Sequence, residues 1–80
     1  MENRQDYTKP FDILNKARDK RVIVELKNQK QYVGKLKAFD PHINIVLEEA
    51  EERFEGEVKR KIGVAFLRGD TIIMISPEWF

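Results

Sequence analysis

From Arg21 onward the chain carries the period of strands rather than of helices. Val22-Ile23-Val24-Glu25-Leu26 is β-branched, with Val22, Val24 and Leu26 on one face. Four more such segments follow, each set off by turn residues. Gln31 to Phe39 comes after the polar Asn28-Gln29-Lys30. Asn44 to about Glu52 is next, with a turn near Phe54-Glu55-Gly56. A fourth segment runs through Ile62–Leu67, and the last, Thr71–Ile75, follows Arg68-Gly69-Asp70. In the second segment, strict alternation puts Tyr32, Leu36 and Ala38 on one face and Val33, Lys35, Lys37 and Phe39 on the other. Gly34 interrupts it, and a glycine inside a strand marks a bend or a close backbone approach, as a closing barrel requires. Five short strands of this kind predict a mainly β protein, a strongly bent antiparallel sheet forming a small open barrel.

The residues before Arg21 read differently. Phe11, Leu14 and Ala17 recur at helical spacing, Pro10 suits a first helical turn, and Asp12 and Lys16, Arg18 and Lys20 sit at the ends that complement the macrodipole. This predicts an amphipathic helix of about three turns over residues 9–20, with Met1 to Tyr7 frayed or adaptable. The expected organisation is a single domain over residues 1–80, with strands within 21–76 and a short aromatic tail at 77–80. The Trp79-Phe80 pair is open to three readings: packing of the tail, docking on a neighbouring subunit, or binding a partner.

Eighty residues give a shallow core. The fourth and fifth strands are nonetheless apolar on both faces, which a monomer of this size cannot cover. One strand edge is therefore expected to pair with another subunit. There is no cysteine, so neither a disulfide framework nor a thiolate metal site is available. No apolar run reaches membrane-spanning length and the start is polar, so no membrane partner is expected and a cytoplasmic location is. Net charge is only +1 although 36% of residues are charged. A polyanion ligand would have to be held by local pockets and not by bulk charge.

The chemistry concentrates in Ala38-Phe39-Asp40-Pro41-His42-Ile43-Asn44. Asp then Pro suits a type I turn, and the Asp40 carboxylate can accept a backbone N–H two residues on. His42 and Asn44, two apart, are expected on one side of extended backbone. One flat ring and one amide that both donates and accepts are what reading a base requires. Arg68-Gly69-Asp70 reads as a tight turn in which Gly69 is able to take positive φ. Glu48, Glu49, Glu51 and Glu52 face a returning Lys59, Arg60 and Lys61, so this hairpin is expected to be exposed and self-paired. Its carboxylates alternate faces and make no ligand set, so no metal or other cofactor is expected. One histidine, no cysteine and few hydroxyls leave no nucleophile–base–orienter set, so no catalytic residue is assigned and the chain is not expected to be an enzyme.

Taken together, the helix, the bent Gly34 strand, Asp40-Pro41-His42-Ile43-Asn44, and Leu67-Arg68-Gly69-Asp70 before a β-branched strand resemble the two-part signature of the Sm and Sm-like (Lsm) proteins. The archaeal Sm-like members are the most similar. The likeness covers about residues 10–77. It implies the Sm fold, a helix followed by a five-stranded open barrel. It also implies a homo-oligomeric ring, usually of seven, in which the fourth strand of one subunit pairs with the fifth of the next. It implies RNA binding at the inner rim, with single-stranded uridine-rich RNA as partner. Carried over by position, His42 and Arg68 sandwich a base and Asn44 reads its Watson–Crick edge. Asp70 orients Asn44, and Gly69 lets the backbone approach. Phe39 is a candidate second RNA contact, with ordinary packing as the competing reading. Ile43 stands where methionine is common in the family. The expected function is RNA processing or metabolism. The alternative is a ring-shaped scaffold for protein partners in which RNA binding is secondary.

Overall fold

The computed structural model describes residues 9–78. The expectations for Met1 to Tyr7 and for Trp79-Phe80 lie outside the described residues. The element order is α1 (Pro10–Lys16), β1 (Arg21–Leu26), β2 (Gln31–Phe39), β3 (Ile45–Phe54), β4 (Glu57–Leu67), a 3-10 turn at Gly69–Thr71, and β5 (Ile72–Pro77). The strands form one antiparallel sheet in the order β4-β3-β2-β1-β5. The sheet does not close on itself: β4 and β5 are its two edges.

The helix is shorter than its apolar period suggested. Pro10 opens it and Asp12 sits in its first turn, but after Ala17 the backbone turns out of the helical path, with Asp19 at φ 67°. The freed groups pair with a strand instead. The Asp19 N–H donates to the Leu36 carbonyl at 2.7 Å, and the Leu36 N–H donates to the Lys20 carbonyl at 2.9 Å. Tertiary hydrogen bonds to β2 outcompete a third helical turn, because a short isolated helix has little stability of its own.

The core lies inside the bent sheet. Val22, Val24 and Leu26 of β1, Leu36 of β2, Ile45, Leu47 and Ala50 of β3, Ala65 of β4 and Ala17 at the end of α1 are buried together. Each large side chain among them contributes roughly 1.5–3 kcal/mol on burial. The β1 alternation is as expected. That of β2 is not: Val33 and Leu36 are both fully buried, and Ala38 is exposed. Tyr32 and Leu36 do share the core side, and Val33 is buried outside that cluster; of two register shifts, the second accounts for the switch at Ala38. Between Val33 and Lys35 the partner β3 contributes the extra residue, near Glu49 at φ 52°; between Leu36 and Ala38 the extra residue is in β2. An extra residue leaves its neighbours on switched faces and bends the strand. Phe39 is thereby turned toward the core cluster and packs against it.

Gly34 sits where the strands approach. A Cβ there would lie 2.9 Å from the Glu48 carbonyl oxygen and 3.0 Å from the Ala50 Cα, so only glycine admits the close crossing of β2 and β3. The β3–β4 hairpin turns through Glu55 (φ 53°) and Gly56 (φ 82°), the two-positive-φ geometry of a tight hairpin. The charged ribbon is only partly exposed. Glu52 is buried, and its carboxylate takes Arg60 Nε at 2.6 Å and Lys30 Nζ at 3.1 Å. Arg60 first, then Lys30, holds that carboxyl below its ordinary range. The basic stems cover what alternation alone would leave in water.

The edges carry the apolar surface that the sequence left uncovered. Val58, Val64 and Phe66 of β4 are exposed, Phe66 at 78%, as are Ile73 and Met74 of β5.

Candidate nucleic-acid interface

Two loops at one end of the sheet build a polar cleft. The first joins β2 to β3. Asp40 and Pro41 start a type I turn, closed by the Ile43 N–H donating to the Asp40 carbonyl at 2.9 Å. The Asp40 carboxylate accepts the His42 N–H at 2.9 Å and the Asn44 N–H at 3.2 Å. The expected reach to the residue two ahead is present. The extended backbone expected between His42 and Asn44 is not, because Ile43 stands at φ 62°. A β-branched residue in the left-handed region is strained, and here the Asp40 hydrogen bonds and the packing of the Ile43 side chain on the core hold it.

The second loop joins β4 to β5. Arg68 caps the 3-10 turn, and the Thr71 N–H and hydroxyl both donate to its carbonyl, at 3.0 and 2.7 Å. Gly69 does not use the positive φ open to it. It is glycine for space: a Cβ would collide with the His42 carbonyl oxygen of the first loop. The close approach lets the Gly69 N–H donate to Asn44 Oδ1 at 2.8 Å.

Asn44 is the joint between the loops. Its Nδ2 donates to Asp40 Oδ2 at 3.1 Å while its Oδ1 takes the Gly69 N–H. A carboxylate only accepts and a backbone N–H only donates, so the amide can sit only one way round. One Nδ2 hydrogen and one Oδ1 lone pair remain for a ligand. Asn44 first, with the backbone N–H groups of Asn44 and His42, holds the Asp40 carboxyl below the usual carboxylate range.

The role expected of Asp70 thus falls to Asp40. Asp70 faces away to Arg68, accepting from Nη2 at 2.9 Å, and fixes the guanidinium rather than the amide. Sequence reasoning assigned Asp40 only its turn. The spacing of an acid four residues before an amide, across a proline turn, was the signal available.

All five expected residues come together. His42, Asn44, Arg68, Gly69 and Asp70 line one open cleft of about 470 Å³. Phe39 is not among them. It lines an adjoining depression with Asn44, Phe66 and Arg68. Its ring receives Phe11 of α1 edge-on at 5.0 Å and carries the Arg18 guanidinium at 5.3 Å. No cluster of three or more acidic or histidine groups suited to a metal ion occurs among the described residues, and none of their helices is long and apolar enough to cross a membrane.

A small open barrel with two edge strands, β4 and β5, and a polar cleft between two of its loops is the class of protein that the structure defines. The chain belongs to the LSM family: the LSM domain model matches residues 12–77. It is 49% identical over 69 residues to an Sm-like protein of Methanosarcina barkeri, covering 86% of this chain and 96% of that one. A relative from Archaeoglobus fulgidus is 45% identical over the same length, covering 86% of this chain and 90% of its own. Among solved structures, the Pyrococcus abyssii Sm protein in complex with a uridine heptamer superposes with a TM-score of 0.83 at 39% identity, covering 86% of this chain and 97% of that one. The P. aerophilum SmAP1 heptamer gives 0.82 at 35% identity, covering 90% and 96%.

Proposed function

We propose that this chain, as a single domain over residues 1–80, assembles into a closed ring of seven. On this reading the ring binds single-stranded uridine-rich RNA in the cytoplasm, in RNA processing or metabolism. The observation that carries the reading is the fixed Asn44 amide. Its remaining donor and acceptor meet an adjacent acceptor–donor pair on the uracil edge. The imidazole of His42 and the guanidinium of Arg68, on the two loops of the same cleft, supply flat faces above and below the ring. Asp70 holds Arg68 in that role and Gly69 permits the approach of the loops. Phe39, beside the cleft, adds a contact for the neighbouring nucleotide. The solved uridine complex and heptamer among its relatives support this reading.

Each base stack contributes roughly 1–3 kcal/mol. Identical pockets around a rim engage one strand in succession, so the second and later contacts form at high effective concentration. Tight binding then needs little net charge, in keeping with +1. Few phosphates are neutralised, so the salt dependence is shallow.

The test is a fluorescence-anisotropy titration of oligo-uridine against oligo-cytidine and oligo-adenosine at two salt concentrations. The particle mass is fixed by light scattering. Uridine preference on a ring-sized particle with moderate salt dependence is the expected result. Weak binding without base preference overturns the pocket assignment and favours a ring whose faces hold protein partners.

A further inference from the structure

The Arg68 side chain is 78% exposed, and the Asp70 carboxylate that it meets at 2.9 Å is 64% exposed. Asp70 sets the direction of the guanidinium, but a surface ion pair gains little energy for holding a long side chain. The backbone of Arg68 is held differently. Its carbonyl accepts twice from one residue, the Thr71 N–H at 3.0 Å and the Thr71 hydroxyl at 2.7 Å. Both lone pairs of that carbonyl oxygen are thus engaged. Thr71 is not among the residues lining the cleft, so it has no part in the RNA reading as it stands.

Thr71 is in turn tied to the core. Between β1 and β5 the register runs Val24 to Ile75 and Glu25 to Met74, then steps to Leu26 opposite Ile72, with Ile73 as the extra residue of β5. The step brings Lys27 opposite Thr71, and the Lys27 N–H donates to the Thr71 carbonyl at 2.9 Å. Leu26 is buried in the core cluster. The turn beyond it is closed by the Leu26 N–H on the Lys30 carbonyl at 2.9 Å and the Gln29 N–H on the Leu26 carbonyl at 3.0 Å. Hydrogen bonds therefore run without a break from a buried strand end, through Thr71, to Arg68. A 3-10 turn of this length has poor hydrogen-bond geometry of its own, so these ties set where it stands.

We propose that Thr71 is a positioning residue for the base site: its hydroxyl fixes the Arg68 backbone against the end of β1 and so aims the guanidinium over the cleft. The inference rests on the reading of the cleft as a uridine site. Two substitutions separate the hydroxyl from the rest of the side chain. Valine keeps the branched shape and removes the donor. The Thr71 N–H still reaches the Arg68 carbonyl in that variant, so the turn persists while Arg68 is held less firmly. Serine removes the methyl and keeps the donor. A neutral hydrogen bond of this kind, felt wholly through Arg68, corresponds to about two- to tenfold in affinity.

The test titrates oligo-uridine by anisotropy against the full-length parent, Thr71→Val, Thr71→Ser, Arg68→Ala and the Arg68→Ala, Thr71→Val double variant. Thr71→Val is expected to weaken binding about two- to tenfold, with particle mass and circular dichroism unchanged. Thr71→Ser restores the affinity, and Thr71→Val adds no loss in the Arg68→Ala background. An equal loss in both backgrounds assigns Thr71 to the fold alone and overturns the proposal. So does a serine variant as weak as the valine variant. A second measurement needs no variant. Coupling between sites is reciprocal, so saturating oligo-uridine is expected to slow hydrogen exchange of the Lys27 amide in the parent; unchanged exchange overturns the proposal. A parent without uridine preference overturns the cleft reading and this inference with it. A uridine-selective parent that Arg68→Ala weakens and Thr71→Val does not overturns this inference alone.

Discussion

Gly69→Ala isolates the contact on which the cleft is built. Gly69 is not in the left-handed region, so alanine is conformationally allowed there and any cost is steric. The added Cβ collides with the His42 carbonyl oxygen and lies 2.9 Å from the Ile43 carbonyl carbon and 3.0 Å from that of His42. All three are backbone atoms of a loop already pinned by Asp40, so no flexible side chain can give way. Overpacking of this kind costs about 1–3 kcal/mol. Separating the loops also breaks the 2.8 Å hydrogen bond from the Gly69 N–H to Asn44 Oδ1, for about 0.5–1.5 kcal/mol more. The amide then loses one of its two clamps. The expected outcome is a destabilisation of about 1.5–4.5 kcal/mol in denaturant unfolding. Oligo-uridine affinity falls about tenfold, and the preference for uridine over cytidine narrows. Gly56→Ala is the matched control. That residue has φ 82° and nothing within 4 Å of a new Cβ, so it should lose about 1 kcal/mol of stability through backbone conformation with base preference untouched. A Gly69→Ala protein with the parent's uridine affinity and the parent's uridine-to-cytidine ratio refutes the assignment of Asn44 as the clamped base reader.

The other predictions concern the same cleft and the sheet edges. His42→Ala and Arg68→Ala should each leave the particle mass unchanged and weaken oligo-uridine binding by about 1–3 kcal/mol per base engaged, read by anisotropy. Ile73→Glu, on the exposed face of an edge strand, should lower the assembly state in light scattering while circular dichroism keeps the β signal. The Asp40 carboxyl is held down in the folded state, so its contribution is fully present above the ordinary carboxylate range. It is lost as pH falls from about 4 through the depressed folded value. Stability against pH should therefore show an acid loss that Asp40→Asn flattens. Gly34→Ala should destabilise by about 1–3 kcal/mol, because its Cβ would meet the Glu48 carbonyl and the Ala50 Cα; an unchanged unfolding midpoint would contradict the close crossing of β2 and β3.

What the sequence made legible was local. The Asp40-Pro41 turn, the Glu55-Gly56 hairpin and the inward face of β1 are each set by a few adjacent residues, and each is found where those residues put it. What it hid was set by partners distant in the chain. Whether β2 carries a bulge depends on how β3 lies against it, so strict alternation put Phe39 on the wrong face. The helix stops at Lys16 because the Asp19 N–H finds the Leu36 carbonyl, a contact no helical period reveals. Gly69 illustrates the same limit at the site. Its identity was legible as a turn glycine, but the need for it comes from a loop some twenty-five residues earlier in the chain, as the Asn44–Gly69 separation records. The choice between Asp40 and Asp70 as the partner of Asn44 likewise turned on which loop lay beneath the amide.

The sheet order links the cleft to assembly. β4 and β5 are consecutive in sequence yet lie at opposite edges, and the segment that connects them is Arg68-Gly69-Asp70-Thr71. Half of the cleft therefore hangs between the two strands that the proposed ring joins to its neighbours. In a single subunit each of these strands is paired on one side only, and the turn between them is braced by Asn44, by Thr71, whose carbonyl also accepts the Lys27 N–H at 2.9 Å, and by the Arg68–Asp70 ion pair. Edge-to-edge pairing would hold both strands on both sides and remove the free edges. The energy of assembly would thus also order the turn that carries Arg68. On this argument a ring-breaking substitution such as Ile73→Glu should weaken binding even of a single uridine. The loss of multiple pockets on one strand cannot explain such an effect. Equal mononucleotide affinity in the dissociated and the assembled protein would show that the cleft is complete in each subunit before the ring forms.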